Sequence, residues 1–315
     1  MTARIIMKMR VTATRDEGGG VKTLTLKHPL RDALPEWSAG AHVDLRLPGG
    51  KIRQYSLCGD AADRSQYRIA VKLEDSGRGG SKWVHENLHP GVEAHVSAPR
   101  CNFRLHPQAS RQIFVAGGIG ITPFLAMVRE AKAQGTPFEL FYCSRFAGPP
   151  FAEELREVCA ERVRFYCSSG LERRRFDPTT DMPKPSSGTH LYCCGPDRLT
   201  AAVREATAHW PQDQVHFEAF QPLSDENFVP EPFDVKIAST GRTFRVPASK
   251  SALEVLKEAG FVLPSSCELG VCGSCECGYR DGTVIHRDVV LPVSARQDRL
   301  MLCVSRARVQ VTLDL

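Results

Sequence analysis

No stretch of this 315-residue sequence approaches the roughly 18 consecutive apolar residues that a membrane span needs, so no membrane segment is expected. An uninterrupted apolar leader is missing too. Lys8 and Arg10 break up Met1 to Arg15, which argues against export and makes a cytoplasmic protein the default. There is no basic block: 41 Lys and Arg stand against 36 Asp and Glu, scattered along the chain, for a formal net charge of +5. Without a phosphate-tracking stripe, nucleic acid is not an expected partner. No long internal repeat is present.

What is there suits a soluble chain that folds throughout, with 42% hydrophobic and 24% charged residues. At this length two or three domains are expected. The 12 cysteines are too unevenly spread for a disulfide framework. Four of the last five lie between Cys267 and Cys277, which points to metal in a reducing compartment.

Residues 5 to about 105 read as short alternating strands, among them Val21 to Leu26, His42 to Leu47 and Tyr67 to Leu73, separated by Gly- or Pro-containing turns. A small antiparallel barrel is expected. From Gln112 the pattern becomes an apolar strand (Ile113 to Ala116), a glycine turn, a helix-like run (Pro123 to Ala133) and a second strand (Phe138 to Tyr142). Such a βαβ unit implies a parallel sheet covered by helices, and the rhythm continues through Arg162 to Cys167 and His190 to Cys193. Gln221 to Pro232 is proline-rich and polar and reads as an exposed connector. Beyond it come two short strands, a helix near Ala252 to Ala259 and a cysteine-rich loop.

Cys267, Cys272 and Cys275 are spaced Cys-x4-Cys-x2-Cys, with Cys303 further on. This resembles the plant-type ferredoxin pattern for a 2Fe-2S cluster, in which four thiolates hold two irons. Gly270 and Gly273 supply small residues where the backbone must wrap closely, and a larger residue at either should block that wrapping. Zinc sites usually pair two short Cys-x2-4-Cys units, of which only one exists here; inert buried thiols are the other alternative. Cys277 alternates to the other side of an extended chain and is set aside as a non-ligand.

Arg53-Gln54-Tyr55-Ser56 resembles the Arg-x-Tyr-Ser motif of the ferredoxin-reductase superfamily. An Arg fork can grip phosphate, Tyr can pack beside an isoalloxazine, and the Ser hydroxyl can reach the flavin N5 that accepts hydride. Gly77-Arg78-Gly79-Gly80-Ser81 precedes a predicted helix, Lys82 to Leu88, so free N–H groups would face an anion. A plain flexible turn is the bland reading of those glycines. The order is similar to the FMN-binding phthalate dioxygenase reductase branch, and the resemblance implies that Gly79, Gly80 and Ser81 hold the FMN phosphate while Val71, Lys72 and Leu73 border the ring; FAD is the alternative. Gly117-Gly118-Ile119-Gly120-Ile121-Thr122-Pro123 resembles the nucleotide loop of the same superfamily, and its departure from Gly-x-Gly-x-x-Gly leaves the strand order open. Cys194-Gly195-Pro196 resembles the second nucleotide motif, with Cys194 near the nicotinamide C4, and Thr122 is a candidate contact to flavin or nicotinamide. Cys193 reads as core. Phe220 resembles the aromatic that packs on the flavin, though an aromatic at a strand end is commonly core.

The resemblance spans the chain and implies a flavin barrel over 1–107, an NAD(P)-binding α/β domain over 108–222, a linker over 223–232 and an α+β 2Fe-2S ferredoxin domain over 233–315. It implies the reductase component of a Rieske-type aromatic oxygenase or demethylase, with Ser56, Thr122 and Cys194 at the reacting atoms. NADH is the expected donor, with NADPH open because Arg145, Arg173, Arg174 and Arg175 follow nucleotide-domain strands. The chain is expected to be a monomer. A reductase of a diffusible acceptor, a relay subunit of a permanent complex and, last, a redox sensor are the other readings.

Overall fold

The computed structural model describes residues 5–75, 77, 79–170, 173–220 and 228–315, and the chain divides into two compact units, Met1–Glu218 and Ala219–Leu315. Arg78 of the glycine segment and 221–227 of the expected connector lie outside the described residues.

The first sheet holds β1 (Ile6–Asp16), β2 (Val21–Lys27), β3 (Ala41–Arg46), β4 (Ile52–Ser56), β5 (Tyr67–Lys72), β6 (Glu93–Ser97) and the short β7 (Arg100–Cys101). Its antiparallel order is β4-β3-β6-β1-β2-β5, with β7 on β3, and a Leu57–Ile69 bridge joins the two ends. Alternation explains the filling: Met7, Met9 and Val11 of β1 point inward beside Leu24 and Leu26 of β2, with polar residues between them. Helix α1 (Gly80–Asn87) packs on this barrel; His85 Nε2 contacts Val71 O at 2.9 Å, and Lys22 Nζ donates to His85 O and Leu88 O at the helix C-terminus.

The second sheet is parallel: β8 (Arg111–Gly117), β9 (Phe138–Ser144), β10 (Val163–Cys167), β11 (Thr189–Cys194) and β12 (Val215–Glu218), in the order β10-β9-β8-β11-β12. Ile113 to Ala116 are wholly buried, the continuous apolar run that a strand covered on both faces requires. Helices α2 (Thr122–Ala133), α3 (Ala152–Cys159), α4 (Pro178–Asp181) and α5 (Asp197–Ala206) join these strands. The sequence left the strand order open; it is doubly wound, reversing direction between β8 and β11.

Barrel and parallel sheet share a core, in which Val21, Ala39, Cys58 and Ala70 of the barrel meet Phe124, Met127 and Tyr192. Glu154 of α3 fastens the same seam, accepting Arg68 Nη2 of β5 at 2.6 and 2.8 Å and Arg129 Nη2 of α2 at 2.6 Å. Partly buried and bidentate, this network is worth more than an exposed pair.

The second unit has β13 (Phe233–Ile237), β14 (Thr243–Val246), β15 (Glu276–Ile285), β16 (Arg299–Met301) and β17 (Arg306–Leu313), ordered β14-β13-β17-β15-β16, with β13 parallel to β17. Helix α6 (Ala252–Glu258) starts at a capping box of Ser251 and Glu254 and buries Leu253 and Leu256. Arg306, 8% exposed, donates to the carbonyls of Glu231, Pro247 and Lys250, tying the entering chain to this unit's core.

Candidate functional site

On β4, Arg53 and Tyr55 share one face by strand alternation, and Ser56 is buried at the strand end. Burial lifts the Tyr55 hydroxyl to about 12, so it stays a neutral donor. Arg53 folds over the first residue of α1: a Cβ at Gly80 would lie 2.5 Å from Arg53 Nε. Gly79 precedes that helix in the left-handed conformation (φ 77°), with no side chain capping the first turn. Ser81 Oγ accepts the Glu74 N–H at 3.0 Å and keeps its own hydrogen to donate. A guanidinium and uncapped helix N–H groups therefore converge on one spot, which suits a phosphate. Val71 fills the barrel core, Lys72 reaches Glu74 at 2.7 Å, and Leu73 is half-buried beside them.

The nucleotide motifs meet at the switch point of the parallel sheet. β8 pairs with β11 through Ala116 and Cys194, so the two glycine turns leave adjacent strand ends. A Cβ on Gly117 would fall 2.6 Å from Pro196 Cδ, and Gly120 lies directly against the Cys194 carbonyl. Only glycine permits this approach. Gly118 (φ 55°) turns the chain, and Tyr142 Oη donates to its carbonyl at 3.2 Å. Thr122 is buried and spends its hydroxyl hydrogen on Ile119 O at 3.0 Å. Cys58, two residues beyond Ser56, sits in the same core cluster as Ile121 and Cys194, which links the flavin motif to the nucleotide loops.

Cys194 is fully buried, and burial together with the neighbouring Glu218 holds its thiol well above the ordinary range. Glu218 escaped the sequence reading. It ends β12 opposite Cys194, burial raises its carboxyl to about 8, and its Oε2 is buried without a hydrogen-bond partner. A carboxyl that burial keeps protonated near neutrality beside Cys194 makes Glu218 a candidate for the site. Its only signal in the sequence is a charged residue at a strand end. Phe220 follows β12 and is partly exposed, at the start of the second unit.

In the second unit the four cysteines form two pairs, Cys267 with Cys272 and Cys275 with Cys303. Antiparallel pairing of β15 with β16 (Glu276 opposite Met301) closes the long sequence gap between Cys275 and Cys303. The Leu269 N–H points at Cys267 Sγ (3.3 Å) and the Ser274 N–H at Cys272 Sγ (3.4 Å). Within each pair one thiol donates to the other, which lowers Cys272 and Cys275 and raises Cys267 and Cys303. Among the described residues no three His, Cys, Asp or Glu side chains converge on one metal position. Two thiol pairs with inward N–H groups fit a binuclear cluster, two thiolates to each iron, better than a single tetrahedral ion.

Gly270 (φ 73°) is doubly constrained, since its Cβ would meet Val304 Cγ2 at 2.6 Å. Gly273 (φ 72°) faces open space, so its constraint is conformational, not the steric block expected at both glycines. Cys277 belongs to neither pair; its Sγ donates to Gly278 O at 3.4 Å, and burial raises it to about 11.

Residues 235–308 match the family of 2Fe-2S iron-sulfur cluster binding domains. The chain is 42% identical over 311 residues to the phthalate 4,5-dioxygenase oxygenase reductase subunit of Pseudomonas putida, covering 98% of this chain and 96% of the relative. The solved structure of a phthalate dioxygenase reductase, described as modular for electron transfer from pyridine nucleotides to [2Fe-2S], superposes with a TM-score of 0.76 at 38% identity, over 98% of both chains. An intact type IV self-sufficient cytochrome P450 monooxygenase matches with a TM-score of 0.86 at 40% identity, over 99% of this chain and 41% of that one.

Proposed function

The chain belongs to the phthalate dioxygenase reductase family, and from that premise we propose that it is the NADH-dependent reductase component of an oxygenase system, carrying an FMN on its barrel and a 2Fe-2S cluster in its second unit. The observation that carries this reading is the Leu269 and Ser274 N–H groups on the Cys267 and Cys272 sulfurs, within the stretch that matches the 2Fe-2S binding family, in a chain whose Arg53 lies against the glycine that starts α1. When bound, FMN accepts the two electrons of hydride and releases them singly, and the cluster takes one at a time.

The side chains serve positioning. Arg53, Gly79, Gly80 and Ser81 grip the FMN phosphate; Tyr55 flanks the ring, with Val71, Lys72 and Leu73 along it; and Ser56 stands at its reacting edge. The close-packed Gly117, Gly118, Gly120, Gly195 and Pro196 let backbone approach the pyrophosphate, while Thr122 and Cys194 hold the nicotinamide. Glu218, protonated near neutrality, donates a hydrogen bond into that end of the crevice without adding charge. Cys267, Cys272, Cys275 and Cys303 ligate the cluster.

The oxygenase partner is of the Rieske type, the chain acts as a monomer, and the eight cysteines outside the cluster, none of them in a disulfide, suit the reducing cytoplasm. No described helix is long and apolar enough to cross a membrane. Acid-released flavin separated by reverse-phase chromatography is expected to run as FMN; FAD as the main species would overturn the cradle assignment. The reductase reading requires NADH-driven cytochrome c reduction by the isolated chain, and a chain inert with every nicotinamide nucleotide would refute it.

A further inference from the structure

Among the described residues of the second unit, Asp288 is the only acid shut away from solvent, at 1% exposure. Its Oδ1 accepts the N–H groups of Val290 at 3.2 Å and Leu291 at 2.8 Å, which folds the chain after β15 into a turn. Val289, within that turn, donates its N–H to Gly270 O at 3.1 Å, and a Cβ on Gly270 would lie 3.2 Å from Asp288 Cα. Gly270, in the loop between Cys267 and Cys272, is therefore wedged between Asp288 and Val304, the residue after Cys303.

The other carboxylate oxygen is in an awkward place. Asp288 Oδ2 is buried without a hydrogen-bond partner, and so is His286 Nδ1, 3.8 Å away. His286 Nε2 lies 3.1 Å from Arg296 O, and a carbonyl only accepts, so the neutral ring carries its hydrogen on Nε2. Burial, opposed by Asp288, holds His286 below the ordinary imidazole range, so the ring is uncharged near pH 7. Nδ1 thus turns a lone pair toward a carboxylate oxygen, and neither satisfies the other. Arg296 does not close the gap: its Nη2 donates to Asp288 O at 3.0 Å, its Nε to Leu291 O at 3.2 Å, and it stands 3.9 Å from Asp288 Oδ1. An asparagine would keep the Oδ1 acceptor and offer its amide N–H to His286 Nδ1. For packing alone the amide is the better residue, because a buried, unsatisfied carboxylate oxygen is costly.

We propose that Asp288 is a positioning residue for electron transfer: its Oδ1 fixes the turn that holds Gly270 in the cysteine loop, and its buried negative charge lowers the reduction potential of the 2Fe-2S cluster, making the reduced cluster a stronger donor to the next acceptor. The inference rests on reading the four cysteines as ligands of that cluster. A cluster that accepts an electron becomes more negative, and a fixed anion in a poorly solvated interior opposes this, with Arg296 offsetting part of the effect.

The test uses the full-length, flavin- and cluster-loaded protein and its Asp288→Asn and Asp288→Ala variants. Cluster content is measured as acid-labile sulfide and by the EPR signal of the reduced protein, cluster retention as the rate of loss to an iron chelator, and the potential by spectroelectrochemical titration. Asp288→Asn should load and retain its cluster like wild type but titrate at a higher potential, by about tenfold in the one-electron equilibrium, which is about 59 mV. Asp288→Ala also removes the acceptor of the Val290 and Leu291 N–H groups, so it should lose its cluster to the chelator several-fold faster. An unchanged potential in fully loaded Asp288→Asn overturns the effect of the charge, and Asp288→Ala that keeps its cluster as long as wild type overturns the hold on the loop. Cluster loss from Asp288→Asn as fast as from Asp288→Ala would show that the charge serves the fold and would also refute the proposal. Wild-type protein with neither labile sulfide nor EPR signal would sink the cluster reading itself, and this inference with it.

Discussion

Gly195 lies back to back with Gly117: a Cβ on Gly195 would stand 3.0 Å from both the Cα and the amide nitrogen of Gly117. Two turns leaving adjacent parallel strands are thus in backbone contact at the point where the sheet reverses its winding. A side chain at either position would push the two turns apart.

Gly117→Ala should therefore damage both fold and crevice. The new methyl would lie 2.6 Å from Pro196 Cδ and 2.8 Å from Leu199 Cδ2, forcing the start of α5 away. Overpacking of this kind costs about 1–3 kcal/mol, read as a lower urea midpoint, and a higher KM for the nucleotide should accompany it. A variant with wild-type stability and KM would show that the two turns do not need to touch.

Arg53→Ala should weaken FMN retention about 10- to 100-fold, the worth of a charge-assisted phosphate contact, measured by fluorescence titration of flavin-free protein. Gly80→Ala offers a second route to the same loss with the arginine still present. Its Cβ would displace Arg53 Nε from 2.5 Å, whereas alanine suits the helix itself better than glycine. Full flavin affinity in both variants would move the phosphate elsewhere.

Cys272→Ser should abolish the cluster and collapse NADH-driven cytochrome c reduction, while flavin reduction by nucleotide persists. The reason is architectural: the cysteines lie in a unit with its own hydrophobic core, separate from the unit that carries both nucleotide motifs. Stopped-flow traces in which flavin reduction falls as steeply as cytochrome reduction would contradict that independence.

Acid should destabilise the first unit before it protonates the native histidines. His190 Nδ1 and His216 Nε2 lie 3.1 Å apart; His106 stacks on His190 at 4.2 Å and Tyr192 on His216 at 4.5 Å. Burial, aided by His190 and His106 and opposed by Asp213, lowers His216 to about 4; burial and Arg100, opposed by Asp44, do the same to His42. The unfolded chain binds these protons near pH 6.5, so the neutral imidazoles contribute fully above that pH, and stability falls as pH drops from about 6.5 to about 4. Trp37, Trp83 and Trp210 all lie in this unit, so tryptophan fluorescence follows its urea midpoint alone. His216→Phe keeps a ring in the stack and removes one titrating group, and its midpoint should fall less between pH 7 and pH 5. Equal slopes would remove His216 from the account.

Much of the architecture was legible because it is written in local sterics. Alternation in Met7, Met9 and Val11, the apolar run Ile113 to Ala116 and the cap at Ser251 each act over a few residues, and each forms the element its pattern implies. Where signals were local but ambiguous, as at Gly270 and Gly273, sequence identified glycine without its reason. One needs space beside Val304 and the other only a positive φ.

What the sequence determined by itself was the set of parts: cysteine spacing, glycine turns between strand and helix, and the Arg-x-Tyr-Ser strand. Their short-range geometry admits few conformations. What only tertiary structure decided was which distant parts meet. The β15–β16 pairing returns Cys303 to Cys275, the strand order brings Gly117 against Gly195, and β12 carries Glu218 to Cys194, where burial and not residue type sets its protonation. Pairing, burial and desolvation depend on contacts between residues far apart in the chain, and no local pattern encodes them.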